Sequence, residues 1–142
     1  MNSMRMAAGV AIAFLMAVST AAGHELKIKG LEFIHPWTRE PAKGVKEVPV
    51  YMVIRNAGRT PERLIGASSP FATNAELRAG RGGKVAAIQL PAGKTTELNA
   101  DGPHLLLLGL SKPLEGYQYF PLVLTFERAG KVEIEVYVEE PN

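Results

Sequence analysis

The chain has 142 residues, a formal net charge of +2 and no cysteine. Without cysteine it can form no disulfide, and it offers neither a thiolate to a metal site nor a thiol nucleophile. Its 16 basic and 14 acidic side chains show no block of like charge, which argues against nucleic acid or an anionic membrane surface as a partner.

The N-terminal segment 1–23 has the three parts of a secretory signal peptide. Arg5 supplies a positive charge, residues 7–18 form an apolar run, and residues 19–23 are small. The apolar run is shorter than the ~20 residues of a transmembrane helix, so we favour cleavage over an uncleaved membrane anchor. We therefore expect a periplasmic protein without stable membrane insertion, whose mature residues 24–142 form one domain of ordinary size.

His24 is a candidate metal ligand because it lies at the expected cleavage point. Cleavage after Gly23 would make it the N-terminal residue, able to chelate Cu(II) through its amine and imidazole. Cleavage after Ala21 would place it third from a free amine, where backbone nitrogens complete a Cu(II) or Ni(II) site. Both arrangements use nitrogen donors in the tetragonal geometry that these ions prefer. The alternative is a solvated tail without a metal role.

The mature chain shows no convincing helical period and is expected to consist of short strands. Strand-like runs, separated by Gly, Pro and other turn residues, cover residues 26–34, 49–55, 62–66, 74–78, 84–90, 95–99, 104–108, 120–127 and 131–138. Runs of this length and spacing predict an all-β sandwich or barrel. The last run alternates apolar and polar residues, which predicts one buried and one wet face. Asn56-Ala57-Gly58 and Ala129-Gly130-Lys131 are predicted hairpin turns.

Two residues of the early strands are expected to have structural roles. His35 is interpreted as a polar cap beside Trp37, which we expect to be buried. Met52, the only methionine outside the signal segment, lies in an apolar strand and is predicted to pack in the core. The acidic residues are scattered and lack the isolated apolar setting that acid/base catalysis needs. Ser68-Ser69 has no identifiable histidine and acid partners, so we do not expect an enzyme.

His104 opens an unusually apolar run, Pro103-His104-Leu105-Leu106-Leu107-Leu108. Alternate residues of a strand share a face, so His104, Leu106 and Leu108 are expected to point the same way. His104 is the second candidate metal ligand, and a hydrogen-bonded strand histidine is the alternative. Inward packing of Leu106 and Leu108, with His104 at the rim, would mean that apolar side chains fill the space of a ligand site.

Three segments have the form of known motifs: His35-Pro36-Trp37-Thr38-Arg39, the strand and turn of residues 51–58, and the run at His104. The first is similar to the His-Pro-Trp-Ala-Arg segment, and the second resembles the Tyr-x-x-Ile-x-Asn-x-Gly strand and turn, of the PCu(A)C family of periplasmic copper chaperones. The run at His104 is similar to the strand that carries His-x-Met. This resemblance implies a cupredoxin-like β-sandwich of short, mostly antiparallel strands. It also implies copper as the cargo, delivered toward a respiratory oxidase subunit or an assembly factor.

The chain departs from the family pattern at the copper ligands. Arg78, in Ala75-Glu76-Leu77-Arg78, stands at the position of the first histidine, and arginine has only donors to offer. Leu106 replaces the methionine of His-x-Met, and the short segment between Arg78 and His104 leaves no counterpart for the other methionine. The primary His/Met site is therefore predicted to be largely lost, and copper binding would require His24, or His104 together with a partner's ligands.

The alternative function is that of a non-metal β-sandwich module in the periplasm. Such a module would bind protein partners through one face of the His104 strand. Either Leu105 with Leu107 or Leu106 with Leu108 would form the exposed face, and the sequence leaves both possibilities open.

Overall fold

The computed structural model describes residues 25–141, and their regular structure consists of β-strands. The predicted all-β class is confirmed. No described helix is long and apolar enough to cross a membrane. The predicted signal segment 1–23 and the candidate ligand His24 lie outside the described residues. The strands are β1 Glu25–Ile28, β2 Leu31–Arg39, β3 Glu47–Asn56, β4 Glu62–Ser68, β5 Ala72–Ala79, β6 Lys84–Val85, β7 Ile88–Leu90, β8 Thr95–Leu98, β9 Pro103–Leu110, β10 Tyr119–Phe126 and β11 Gly130–Glu139.

Two runs that the sequence predicts as single strands are each divided in two. Lys29 and Gly30 have φ angles of 52° and 78°, and this left-handed turn folds β1 back onto β2 in antiparallel pairing. The run 84–90 breaks after Val85, because β6 pairs with β5 whereas β7 pairs with β4. The boundaries of these strands are thus set by turns and by different pairing partners.

The connection after β3 contains a turn but is not the predicted hairpin. β3 pairs with β2, β8 and β9, whereas β4 pairs with β10 and β7. Asn56 is buried and holds this crossover: its Nδ2 donates to the carbonyls of Thr60 at 2.9 Å and Leu90 at 3.0 Å, and its Oδ1 accepts from the Gly58 N–H. The other predicted turn does join β10 to β11 as a hairpin.

The strands follow one another in space in the order β6-β5-β9-β3-β2-β11-β10-β4-β7, with β1 on β2 and β8 on β3. The described pairs are antiparallel except for β2 with β11. β3 belongs to both layers of the sandwich, because residues 47–50 pair with β9 and residues 51–56 pair with β2. β4 and β5 pack together and bring the two halves of the strand order around one core.

The core is formed by the inward-facing side chains of alternate strand residues. Met52 is 2% exposed and belongs to it, as predicted. The alternation predicted for β11 is also confirmed, with its valines and isoleucine inside and its glutamates outside. The largest fully buried side chains are those of Phe33, Ile54, Leu64, Leu90, Leu98, Leu105, Leu107, Phe120, Leu122, Leu124, Phe126 and Ile134.

A β-bulge changes which residues of β2 face the core. The register of β2 against β3 shifts between Ile34 and Trp37, and His35 within this shift has a φ angle of 46°. Phe33 is buried before the bulge and Thr38 is buried after it, so the alternation changes phase. Trp37 therefore lies half-buried on the outer surface, and the expectation that it is buried was wrong.

Candidate metal centre

His104 lies on the outer face of β9, between β3 and β5. Leu105 and Leu107 are fully buried, with 0% exposure. His104, Leu106 and Leu108 share the opposite face, and all three are half-buried. The sequence left open which pair of leucines forms the outer face, and the structure shows that it is Leu106 and Leu108. These two leucines do not pack inward on the core side of the strand.

Arg78 on β5 is the direct cross-strand neighbour of His104. One of its Nη atoms donates to a carboxylate oxygen of Glu76 at 2.6 Å, and the two side chains are 31% and 18% exposed, respectively. The Nε atom of Arg78 is buried and has no hydrogen-bond acceptor among residues 25–141. A guanidinium has no lone pair to donate, and its charge repels a second cation. The position opposite His104 is therefore held by a cation that is itself paired.

The imidazole of His104 is oriented by its neighbours. Its Nδ1 lies 3.0 Å from the carbonyl oxygen of Gly102, and a carbonyl only accepts, so Nδ1 carries the proton and Nε2 keeps its lone pair in the neutral ring. The ring of Tyr51 meets it edge-on, with centroids 6.0 Å apart. Burial, and then the charge of Asp101, raise the pKa of Tyr51. With its proton on Nδ1, His104 has the tautomer in which a strand histidine can ligate a metal through Nε2.

The second ligand position of the His-x-Met pattern holds an aliphatic side chain. Leu106 lies between Pro49 on β3 and Glu76 on β5. Residues 79–103, which connect the two ligand strands, contain neither histidine nor methionine. Within the described part of the chain, no group of three or more His, Cys, Asp or Glu side chains is arranged to hold a metal ion.

His35 is not brought to the candidate centre. Its Nε2 lies 3.5 Å from a carboxylate oxygen of Glu139, and its ring stacks on Trp37 with centroids 6.3 Å apart. The rings of Trp37 and Tyr51 lie between His35 and His104. His35 thus has the predicted position as a polar neighbour of the tryptophan, although that tryptophan faces outward.

Glu62 is a buried charged residue that sequence reasoning missed. It is 7% exposed, and its carboxylate accepts N–H bonds from Arg63, Arg128 and Ala129 at 2.9–3.0 Å. Burial alone would raise the pKa of Glu62, but these donors and the charge of Arg128 lower it below its ordinary value. Arg128 is 66 residues away in the chain, so no local motif marks the site. The carboxylate ties β4 to the β10–β11 turn.

Residues 31–138 match the family model described as "Putative lipoprotein LpqE-like". A putative lipoprotein of Leifsonia xyli subsp. xyli is 24% identical over 119 residues, which cover 78% of this chain and 70% of that protein. The copper-bound PCuAC domain from PmoF2 is 30% identical, with a TM-score of 0.77, over 83% of this chain and 99% of that domain. The apo PCuAC domain from PmoF1 is also 30% identical, with a TM-score of 0.78, over 83% and 100% of the two chains.

A further solved structure agrees in fold. The Cu(I) form of DR1885 from Deinococcus radiodurans is 23% identical, with a TM-score of 0.64, over 87% of this chain and 85% of that chain. Together with the PmoF domains, it confirms the cupredoxin-like β-sandwich predicted from the sequence.

Proposed function

The chain belongs to the LpqE-like family and to the PCuAC domains. We propose that it handles copper in the periplasm with a primary site that has fewer ligands of its own. In this proposal the protein supplies one imidazole, that of His104, and a protein partner supplies the remaining ligands. The observation that carries the proposal is the cross-strand pair of Arg78 and His104. In this pair, two side chains on neighbouring strands lie opposite each other as two metal ligands would, but one of them is a cation.

The chemistry of Cu(I) supports the need for a partner. Cu(I) prefers thioether and thiolate ligands, and imidazole is acceptable beside them. His104 has a lone pair on Nε2, but its neighbours on the outer face are Leu106 and the cation of Arg78. The pairing of Arg78 with Glu76 reduces the local positive charge. A copper-accepting respiratory oxidase subunit or an assembly factor with exposed methionines would provide the missing soft donors.

His24 remains a separate proposal for Cu(II). With its N-terminal amine free after cleavage, it would bind this ion independently of the β-sandwich. His24 lies outside the described residues, so this proposal rests on the sequence alone. The location is supported by the signal-like segment and by the lipoprotein description of the relatives. The chain itself has no cysteine thiol for lipid attachment.

A second candidate function is that of a module that binds protein partners without metal. It is favoured by the half-buried strip of Leu106, Leu108 and Pro49 on the outer face of β9 and β3. Apolar side chains in this position would be covered by a partner. Neither candidate function involves catalysis.

The two candidate functions are distinguished by the response of the protein to Cu(I) bound to a methionine-containing peptide. The mature protein is labelled at its histidine rings and followed by NMR while a Cu(I)-loaded peptide with two methionines is added. The copper proposal predicts a shift of the His104 Nε2 resonance, which is assigned by its absence from His104→Ala, and no such shift with the copper-free peptide. A response to the copper-free peptide alone would favour the metal-free module, and no response at His104 would exclude its role in copper transfer.

A further inference from the structure

A row of aromatic side chains crosses the outer surface of five neighbouring strands. The register pairs Tyr119 with Tyr137, Tyr137 with Trp37, and Trp37 with Tyr51. Ring centroids are 5.1 Å apart for the two tyrosines, 5.2 Å for Trp37 and Tyr51, and 6.0 Å for Tyr51 and His104. We call Tyr119, Tyr137, Trp37, Tyr51 and His104 the aromatic row.

The composition of the row differs from that of the core. It contains the chain's only tryptophan and three of its four tyrosines, whereas Phe33, Phe120 and Phe126 are buried. Tyr119 is 52% exposed, and the other members are half-buried. Side chains with an apolar ring and a polar tip are typical of recognition surfaces, because they bury area while keeping a hydrogen-bonding group.

The spacing of the row matches a polyproline II helix better than an extended strand. Ring centroids lie 5.1 to 6.0 Å apart in the contacts above, and neighbouring strands lie about 4.8 Å apart, so every second ring recurs after roughly 10 Å. A polyproline II helix has three residues per turn and rises about 3.1 Å per residue, so its side chains recur after about 9.3 Å. An extended strand repeats its side chains after about 6.8 Å, which does not fit. The rings are inclined to one another by 52°, 60° and 66°, so they present edges as well as faces to a ligand.

A cavity of about 110 Å³ adjoins the row at Trp37. Its wall combines the apolar side chains of Ile34, Met52, Val53 and Leu98 with the ring of Trp37 and the polar side chains of His35 and Glu97. Glu97 is exposed and forms no salt bridge within residues 25–141. The cavity therefore has room for a small ring and places the carboxylate of Glu97 where it can meet a positive charge.

We propose that the aromatic row docks a proline-rich segment of a partner protein, in polyproline II conformation and with a basic residue that meets Glu97. Aromatic clefts bind such segments at low entropic cost, since the ligand is already ordered before binding. This inference requires no copper, and because the row shares His104 with the proposed copper function, it is tested without copper.

The test uses the single tryptophan as its own reporter. The mature protein is titrated in chelator-containing buffer with a peptide of one arginine followed by nine prolines, and Trp37 fluorescence is recorded. A peptide of equal length with the same arginine and alternating glycine and serine is the control ligand. The proposal predicts saturable binding of the proline peptide alone. Absence of a fluorescence change up to millimolar peptide would overturn it.

Variants locate the binding on the row. Tyr51→Ala is expected to weaken binding about tenfold, whereas Ile65→Ala, which removes a 43% exposed side chain of β4 away from the row, is expected to leave it unchanged. Glu97→Gln is expected to remove the preference for the arginine peptide over a pure proline peptide. If Tyr51→Ala does not fold, as judged by circular dichroism, the same binding measurement is made with Tyr119→Ala, which changes an exposed side chain of the row. Binding that responds only to lipid vesicles or to a soluble oligosaccharide would contradict the proposal.

Discussion

Arg78 and His104 face each other across β5 and β9, and the guanidinium of Arg78 is paired with Glu76 at 2.6 Å. The resemblance to the family implies a histidine at the position where Arg78 stands. In the proposed function, the strand framework that brings the two side chains together is retained, and a paired cation occupies one of the two ligand positions. This relationship leads directly to a test by substitution.

Restoring the two replaced side chains should create a Cu(I) site. In Arg78→His with Leu106→Met, a second imidazole would lie opposite His104 and a thioether would share its face. We expect the double variant to bind Cu(I) about a hundredfold more tightly than the wild type, a difference of about 2.7 kcal/mol. Chelator competition measures this difference. The matched control is Arg78→His with Leu108→Met, where the thioether is one alternation farther along, and equal affinity of the two variants would refute the assignment.

The two faces of β9 should differ in their contribution to stability. Leu105 is fully buried, so Leu105→Ala is expected to lower the free energy of unfolding by about 2–5 kcal/mol. Leu106 is half-buried on the outer face, and Leu106→Ala is expected to cost roughly 1 kcal/mol or less. Urea unfolding of both variants measures the costs. A larger loss from Leu106→Ala than from Leu105→Ala would mean that the assignment of the buried face of β9 is wrong.

Glu62 should make stability depend on pH in the acid range. Its pKa is lowered in the folded state, so its contribution is complete above the unfolded value of about 4.3 and is lost as the pH falls through the folded value. We expect Glu62→Gln to cost roughly 1.5–3 kcal/mol at pH 7, because three N–H groups lose a charged acceptor. Urea unfolding at pH 7 and pH 3 should show this cost shrinking at the lower pH.

A control separates Glu62 from a general effect of carboxylates. Glu127 is 51% exposed and pairs with Arg63 on the surface. Glu127→Gln is expected to change the free energy of unfolding by less than about 1 kcal/mol at either pH. If both variants lost stability equally, the buried hydrogen bonds of Glu62 would not be the cause.

Gly109 should tolerate a side chain less well than Gly130. Both have a positive φ angle, 63° and 73°, so alanine is strained at either position. A Cβ at Gly109 would also collide with the side chain of Thr73, whereas one at Gly130 would meet no atom within 4 Å. Gly109→Ala is therefore expected to be the more destabilising by at least about 1 kcal/mol, as measured by urea unfolding. Equal losses would mean that backbone strain alone accounts for both.

The parts of the fold that were predicted correctly depend on local alternation. The inward positions of β11 and the core position of Met52 follow from a period of two and from apolar character. Trp37 was predicted wrongly because the bulge at His35 reverses the alternation after Phe33. His35 adopts its positive φ angle although it is not glycine, so nothing in the local sequence indicates the change of phase.

The candidate site was predicted in part, because its residues come from distant strands. The resemblance marked Arg78 and His104 as equivalent to ligands, but their direct opposition depends on the register of β5 against β9. The pairing of Arg78 with Glu76 and the aromatic row depend on the same long-range registers. Glu62 was missed for this reason as well, since two of its three donors lie in the β10–β11 turn.

The most direct test of the account is the affinity of the mature wild-type protein for Cu(I). Chelator competition, under reducing conditions and without any partner, measures whether the chain alone forms a site. We predict no tight binding, because His104 is opposed by the cation of Arg78 and flanked by Leu106. A nanomolar Cu(I) affinity that His104→Ala abolishes would contradict the account, since it would mean that the chain supplies a complete site.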